Sequence, residues 1–430
     1  MMIDDEGASF AFLTPLMAML FATTGGTLSS LIGRKRLIMS CMPFTGLGWL
    51  LIGLSNGKTM LFIGRIVTSI FMAFMTSSVS AYTAETVHPQ IRGNLVVLSP
   101  FFLSLGMLFD WLLGYFFSWR TIAYVASIPC VLLTIALYFL PESPYWLIEK
   151  DRKSEAETSL KFYRGSKFDI MSELDEIHQK HLEKEGQNSW KWVLQRICSK
   201  AFLKPFSCIG VLYILITWVG MDIVMSYMVS ILHETGSNFD PTIGPILAGI
   251  VRTSAAGLTP FFMGKISPKY LFTIGQLTMA LCTGTIAFFA YWKTYSLEFA
   301  NIDNFGWIPV TTIMLMILVR ALATLPVQHT LLTELYPSEI RTQSISISES
   351  VYLGTCALAL KLYPTIKNGL CLHGAFLLYT IMSILASIWG YVTIPDNRGK
   401  SLAKVEMKNI LKIVLSPFQL SEQRSDASER

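Results

Sequence analysis

The amino-acid sequence predicts an all-α membrane protein that crosses the bilayer many times. Hydrophobic residues make up 52% of the 430 residues and charged residues only 15%, a balance that soluble domains of this length do not show. Apolar runs of about 20 residues recur along the chain, and a helix of that length crosses the hydrocarbon core of a bilayer. The charged residues fall mostly between these runs. The apolar runs are therefore predicted to be the transmembrane helices.

About eleven apolar segments are predicted to span the membrane as helices. Their bounds are 8–32, 37–54, 59–81, 95–117, 120–140, 205–232, 243–264, 270–292, 305–333, 343–363 and 370–394. Lys and Arg residues favour the cytosolic side of a membrane. This rule places in the cytosol Arg34-Lys35-Arg36, the insert Glu142 to Lys204, Lys265, Lys269, Arg341 and the tail from Pro395. Simple alternation of the spans then places Met1 outside.

The spacing of the spans divides the chain into four predicted parts. They are an N-terminal transmembrane bundle at 1–140, a cytosolic helical linker at 141–204, a C-terminal transmembrane bundle at 205–394 and a cytosolic tail at 395–430. The linker is charged, and its apolar residues recur at helical spacing, as in Leu160/Tyr163 and Leu174/Ile177. It is therefore predicted to form short amphipathic helices.

The sequence carries no pattern typical of an enzyme, a cofactor site or a metal site. Its seven cysteines are scattered singly, without the spacing of a zinc site or a disulfide framework. No Walker motif and no nucleophile elbow is present. The basic residues serve the topology and do not indicate a nucleic-acid partner. We expect no catalysis, cofactor or metal, and a lipid bilayer as the surroundings.

The two halves of the chain repeat the same motifs. Glu85 is followed seven residues later by Arg92, and Glu334 is followed seven residues later by Arg341, each pair at the predicted cytosolic end of a span. Pro141-Glu142 closes the first half as Pro395-Asp396 closes the second. Repeats of this kind are expected of a transporter built from two bundles, whose substrate site lies between them near the midplane.

The two most specific motifs follow the predicted bundles. Pro-Glu-Ser-Pro-Tyr-Trp-Leu at 141–147 is followed by Arg164-Gly165, and Pro-Asp-Asn-Arg-Gly-Lys-Ser-Leu stands at 395–402. They closely resemble the signatures of the sugar porter branch of the major facilitator superfamily, and insect trehalose and glucose transporters are the most similar members. The resemblance implies two pseudo-symmetric helix bundles, facilitative transport of a sugar by alternating access, and a location in the plasma membrane. It says nothing of the oligomeric state.

The resemblance covers nearly the whole chain but begins at the second helix of the family. Sugar porters have twelve helices with both ends in the cytosol. The simplest expectation is that the first helix is missing from this sequence, and a genuine eleven-helix protein is the alternative.

The resemblance also implies a charge network that closes the cytosolic side while the transporter is open outward. Gly33 permits the tight turn before the basic cluster. The second copy of this turn, GKISPK at 264–269, lacks the acidic residue and the two arginines that are usual there, so the C-terminal part of the network is expected to be weaker. The residues assigned to the network are Arg34, Arg36, Arg65, Glu85, Arg92, Glu142, Glu334 and Arg341.

The predicted substrate pocket departs from the family pattern. Ile216 and Thr217 stand where the family has two glutamines, and Asp222 stands where it has an asparagine. His329 takes the place of a tryptophan, and Tyr352 that of another asparagine. Sugars are held by directed hydrogen bonds to their hydroxyl groups, so the lost amides need substitutes. The candidate substrate-binding residues are Thr217, Asp222, Tyr227, Gln328, His329 and Tyr352.

Among the ionisable residues inside predicted spans, Asp110, Asp222 and Arg320 are the candidates for a function at membrane depth. Such residues are costly in a membrane and are functional by default. Arg320 is a possible partner for either acid, and the sequence leaves that choice open. It also leaves open three functions: sugar transport, transport of a changed substrate, and a sensor that binds sugar without moving it.

Overall fold

The structure is a computed structural model that describes residues 4–165, 170–185, 200–235, 243–262, 266–295, 305–336 and 341–394. The regular elements in these ranges are helices, as the sequence predicts. The chain divides into two compact units. The first comprises Met1–Ser199 with Thr342–Pro364, and the second comprises Lys200–Arg341 with Thr365–Arg430. The predicted tail at 395–430 lies outside the described residues.

In the described residues up to 185, the first unit contains five long helices and three short ones, and residues 342–364 of the last long helix also belong to it. They are α1 Asp4–Ile32, α2 Arg34–Gly53, α3 Lys58–Thr86, α4 Pro89–Phe116, α5 Trp119–Tyr138, α6 Pro144–Glu149, α7 Lys153–Arg164 and α8 Ile170–Glu185. Helices α1, α2, α3 and α5 form the packed body of this unit. Segment 342–364, predicted to belong to the C-terminal bundle, groups with this unit. There the Lys361 ammonium donates to Ser9 Oγ over 2.6 Å.

Glycines set the close packing of α2 against α3. A Cβ atom on Gly48 would lie 2.9 Å from the backbone nitrogen of Thr68, and one on Gly64 would lie 2.8 Å from the carbonyl oxygen of Gly48. Helices in a membrane gain little from hydrophobic burial against each other, so small residues that let backbones approach supply much of the packing. The glycines at these positions explain how two apolar helices are held in one register.

The described part of the linker, up to Glu185, forms short helices with apolar stripes. Leu160, Leu174 and Ile177 are buried in one cluster with Trp146 and Ile148. Because these residues recur at three- and four-residue spacing, each short helix presents one apolar stripe to its neighbours. The linker helices thus share a small hydrophobic core of their own.

Two polar contacts attach the linker to the end of α3. The hydroxyl groups of Tyr82 and Tyr163 lie 2.6 Å apart, and both reach the carbonyl oxygen of Pro141. Burial raises the pKa of the Tyr163 phenol, so the group stays a neutral donor at physiological pH. Arg164 donates to Glu173 on α8 and, over 2.7 Å, to the carbonyl oxygen of Thr86. The guanidinium thereby joins α7, α8 and α3.

The second unit contains a helical segment that is interrupted by a short π-helix. Its elements are α9 Lys200–Thr217, α10 Met221–Glu234, α11 Ile243–Phe262, α12 Pro268–Tyr295, α13 Trp307–Val319, a π-helical segment Arg320–Thr324 and α14 Leu325–Leu335. The π-helical segment packs against α11 and α12. Single π turns inside α-helices occur frequently at functional sites.

The last long helix, α15 Arg341–Thr393, contains two of the predicted spans. Its 53 residues would extend about 80 Å as one straight helix, far more than one membrane crossing requires. The helix is interrupted at Cys371, whose φ of 57° and ψ of 174° are not helical. That conformation is essentially reserved for glycine, and it stands at an exposed residue, two positions after Gly369.

Nine helices within the described ranges are long and apolar enough to cross a membrane, and Ile243–Thr259 is a shorter apolar helix. One of the nine runs from Ser344 to Thr393 and includes the break at Cys371. These helices are identified by length and composition, and the count of eleven spans stays a prediction.

Candidate functional site

The helical segment that carries three of the six predicted substrate residues is broken in the middle. Helix α9 ends at Thr217, and α10 begins after Gly220, whose φ is 87°. A Cβ atom on Gly220 would lie 2.5 Å from the ring of Tyr379. Only glycine combines this left-handed backbone with such a close approach. In transporters, helices that are interrupted at membrane depth are where substrates bind.

Helix α10 has a polar face in an otherwise apolar environment. Ile223, Val224 and Ile231 are fully buried against the unit. The opposite side carries four polar residues at helical spacing, namely Asp222, Ser226, Ser230 and His233, of which the last three are exposed and Asp222 is partly exposed. A charged residue facing lipid costs several kcal/mol. This face of the second unit is therefore suited to water and not to hydrocarbon.

Asp222 pairs with Arg320, the first residue of the π-helical segment. The distance from Arg320 Nη2 to Asp222 Oδ1 is 3.6 Å, and the side chains are 8% and 26% exposed respectively. Asp222 lies in the first turn of α10, where the positive end of the helix dipole favours an anion. Thr259 on α11 also donates to the carbonyl oxygen of Ala321 over 3.3 Å. Of the two acids, Asp110 and Asp222, the structure therefore pairs Arg320 with Asp222.

Asp110, the alternative partner, is exposed on α4 of the first unit. No ion pair or hydrogen bond joins its carboxyl group to another part of the chain that the structure describes. Sequence reasoning could not choose between the two acids, because it does not tell which helices are neighbours.

The remaining predicted substrate residues take different positions. The Thr217 hydroxyl is fully buried and donates to the carbonyl oxygen of Tyr213 over 2.8 Å, within its own helix. Gln328 is buried, and its Oε1 atom has no hydrogen-bond partner among the described residues. His329, next to it on α14, is exposed. Of these three, His329 is the one whose side chain is open to a substrate.

Two tyrosines complete the predicted pocket. Tyr227 departs from helical geometry inside α10, with φ of −119° and ψ of 20°, which adds a second irregularity five residues after Asp222. Tyr352 lies in segment 342–364, which groups with the first unit. The other five predicted residues belong to the second unit.

The predicted cytosolic network begins with Glu142, whose carboxylate caps the N-terminus of α2. It accepts from the backbone N–H groups of Lys35 over 2.8 Å and of Arg36 over 3.2 Å. The first N–H groups of a helix have no partner within the helix, and a carboxylate there also meets the positive end of the dipole. Gly33 has φ of 114°, and a Cβ atom on it would lie 2.6 Å from Glu142 Oε2. The glycine therefore makes both the turn and the space for the cap.

Glu85, at the end of α3, joins this cap to the basic turn. Arg34 Nε lies 3.2 Å from Glu85 Oε2, and the Arg34 guanidinium also reaches Glu149 on α6 over 3.5 Å. The Ser143 hydroxyl donates to Glu85. The Arg36 guanidinium lies 5.6 Å from the centre of the Trp146 ring. The motif at 141–147 thus binds the ends of α2 and α3 together.

Arg65 does not join this cluster. It lies on α3 twenty residues before Glu85, or about 30 Å away along a helix, and its guanidinium is 4.8 Å from the centre of the Phe10 ring. The expectation that it belongs to the cytosolic network is corrected here. The sequence already indicates this position, because Arg65 lies closer to the start of α3 than to its cytosolic end. Arg92, Glu334 and Arg341 also lie on helices, but the structure does not describe their side chains.

Within the described ranges, no group of three or more His, Cys, Asp or Glu side chains is arranged to hold a metal ion. What the second unit offers is a polar face with an ion pair beside two helix irregularities. What the first unit offers is a breakable set of charged contacts at one end of its helices. Both arrangements suit binding and conformational change.

Comparison with known proteins places this arrangement in a family. The profile of the family described as "Sugar (and other) transporter" matches residues 8–408. A facilitated trehalose transporter of Apis mellifera ligustica is 27% identical over 398 residues, which cover 92% of this chain and 78% of that protein. A facilitated trehalose transporter of Polypedilum vanderplanki is 26% identical over 406 residues, which cover 94% of this chain and 80% of that protein.

Solved structures show the same fold. The xylose transporter XylE from E. coli in an inward-open conformation has a TM-score of 0.75 at 21% identity, with 94% of this chain and 89% of that chain covered. The proton:xylose symporter XylE bound to 6-bromo-6-deoxy-D-glucose has a TM-score of 0.69 at 20% identity, with 92% and 87% covered. The predicted major facilitator fold is confirmed. The chain is a multi-pass membrane protein of the sugar transporter family and belongs to the sugar porter branch of the major facilitator superfamily.

Proposed function

We propose that this protein moves a neutral sugar across a membrane by alternating access, without a cofactor or a covalent step. The observation that carries the proposal is the polar face of α10, where Asp222 and Arg320 pair beside the break at Gly220. An intramembrane ion pair with an accessible carboxylate offers hydrogen-bond partners at the depth where transporters of this fold bind substrate.

The substrate class follows from the relatives. Proteins named facilitated trehalose transporters share 26–27% identity with nearly the whole chain. We propose a glucose- or trehalose-type sugar as the substrate and the plasma membrane as the location. No Walker motif is present in the sequence, so ATP hydrolysis is not part of the proposal.

Uptake into proteoliposomes tests the proposal. The purified chain is reconstituted, and entry of radiolabelled trehalose and of radiolabelled glucose is measured against protein-free vesicles. We expect saturable uptake of at least one sugar, blocked by an excess of the same unlabelled sugar. Binding of sugar to the folded protein without uptake would contradict transport and support a sensor.

We also propose that the cluster around Glu85 and Glu142 is the gate at the cytosolic side. The contacts between Arg34, Glu85 and Ser143 connect α2 and α3 to the motif that starts the linker. The side chains of Arg34 and Glu85 are only 13% and 19% exposed, so their pairing is less screened than that of surface pairs. A gate of this kind must hold in one conformation and break in another.

Replacing Glu85 with glutamine tests the gate. The amide keeps the size of the side chain but removes the charge that faces Arg34. We expect the maximal uptake rate to fall by roughly 5- to 30-fold, which corresponds to about 1–2 kcal/mol of lost pairing. The matched control is Glu155→Gln, which removes the exposed pair with Arg152 in the same linker and should leave uptake unchanged. Equal rates for Glu85→Gln and wild type would remove Glu85 from the gate.

A further inference from the structure

We propose that Asp222 and Arg320 act together as the charge filter of the substrate site, so that the site accepts neutral polyhydroxyl compounds and rejects charged ones. The inference rests on the proposed function, because it assigns a selectivity to the same site. It adds Arg320, which lies outside the set of predicted substrate residues, and it gives the pair a task that neither residue has alone.

The depth of the pair is the first argument. Asp222 lies within the apolar span Pro205–Glu234, twelve residues or about 18 Å along the helix from Glu234. It is therefore near the middle of the crossing. Its neighbours Met221 and Ile223 are 3% and 0% exposed, whereas its own side chain keeps 26% of its surface open. The carboxylate is thus directed out of the packed core at membrane depth.

The surroundings of the carboxylate are the second argument. Ser226 and Ser230 follow Asp222 on the same face of α10 and are exposed. A polar strip of this length would be unfavourable against lipid. The strip suits a water-filled path, and the ion pair lies at its N-terminal end.

The chemistry of the pair is the third argument. A neutral amide supplies one acceptor oxygen and two donor N–H bonds. A carboxylate next to a guanidinium supplies acceptors on one side and donors on the other, and the two charges sum to zero. Hydrogen bonds from sugar hydroxyls to such charged groups are shorter and stronger than those to neutral groups. The pair can therefore replace the missing amides in holding a polyhydroxyl substrate.

The same balance of charge excludes ions. An anionic or cationic substrate would bring a net charge to a site that has none, at a depth where unpaired charges are unfavourable. Removing the charge of either Asp222 or Arg320 gives the site a net charge. Without the Asp222 charge the site is positive and suits an anion, and without the Arg320 charge the site is negative and suits a cation.

The test uses competition against uptake in proteoliposomes. The labelled probe is the neutral sugar that the wild-type protein takes up, and the competitors are that sugar, its uronate form and its amino-deoxy form. The variants are Asp222→Asn, Arg320→Gln and the double variant that carries both changes. The control is the double variant Glu234→Gln/Lys367→Gln, which removes another ion pair between α10 and α15 in the same unit.

We expect the neutral sugar to compete best in the wild type and in the control. In Asp222→Asn, the uronate should compete about tenfold better relative to the neutral sugar than it does in the wild type. In Arg320→Gln, the amino sugar should improve by a similar factor. In each variant the remaining buried charge is unpaired and attracts a ligand of opposite charge. Unchanged competition order in both single variants would overturn the proposal and leave the pair a structural one.

The double variant covers the case in which the single variants do not fold, because removing both charges together spares the unit an uncompensated charge. Its Michaelis constant for the neutral sugar should rise about tenfold over that of the Glu234→Gln/Lys367→Gln control, since it loses charge-assisted hydrogen bonds. An equal Michaelis constant in the two double variants would refute the proposal. Failure of the wild type to take up any sugar would instead refute the proposed function.

Discussion

Replacing Gly220 with alanine is expected to abolish sugar uptake and to lower the stability of the second unit. The φ of 87° at this residue costs an L-amino acid about 1–2 kcal/mol. The new methyl group would also meet the Tyr379 ring at 2.5 Å, and overpacking of this kind costs about 1–3 kcal/mol. Because the ring is fully buried, it has little room to move away.

The measurement is the midpoint of thermal unfolding in detergent, followed by uptake in proteoliposomes. Gly210→Ala is the matched control, since Gly210 lies in α9 of the same span and a Cβ atom there would meet nothing within 4 Å. The control should be neutral or slightly stabilising, because alanine favours helix over glycine. If the two alanine variants unfold at the same temperature, the break at Gly220 is not the constraint inferred here.

Replacing Arg164 with alanine is expected to detach α7 and α8 from the first unit. The Arg164 side chain is 1% exposed, and its partner Glu173 is 14% exposed. Its removal leaves the Glu173 carboxylate and the carbonyl oxygen of Thr86 without their donor. Removing one partner of a buried ion pair costs about 3–5 kcal/mol of stability. The hydrophobic core of the linker is too small to offset a loss of that size.

Hydrogen exchange of the linker amides measures this effect directly. In Arg164→Ala, the amides of α7 and α8 should exchange much faster than in the wild type, while those of α2 and α3 keep their protection. The control is Arg152→Ala, because Arg152 forms a partly exposed pair with Glu155 of the kind that contributes little. Unchanged exchange in α7 and α8 would show that the apolar cluster alone holds the linker.

The features that could be predicted from the sequence depend on local periodicity. The buried faces at Leu160, Leu174 and Ile177 follow from helical spacing, and the spans follow from the length of the apolar runs. The interruption between the spans predicted at 343–363 and 370–394 follows in the same way, but the non-helical conformation stands at Cys371, two residues after Gly369.

The features that could not be predicted depend on which helices are neighbours. The cap that Glu142 gives to α2 joins residues more than one hundred positions apart. The motif at 141–147 singles out Glu142 as a functional residue, but it does not indicate which group Glu142 contacts. Likewise, Asp222 and Asp110 are equally placed for Arg320 until the helices are packed. Arg65 is a different case, since its distance from the start of α3 already indicates its depth.

The measurement that tests the central claim most directly is equilibrium counterflow. Proteoliposomes are preloaded with a high concentration of unlabelled sugar and diluted into a trace of the labelled sugar. A carrier that exposes one site alternately to the two sides should accumulate label inside to a transient maximum above the equilibrium level. We expect that overshoot in the wild type and its loss in Gly220→Ala. Label that merely rises to equilibrium in the wild type, without a maximum, would contradict alternating access.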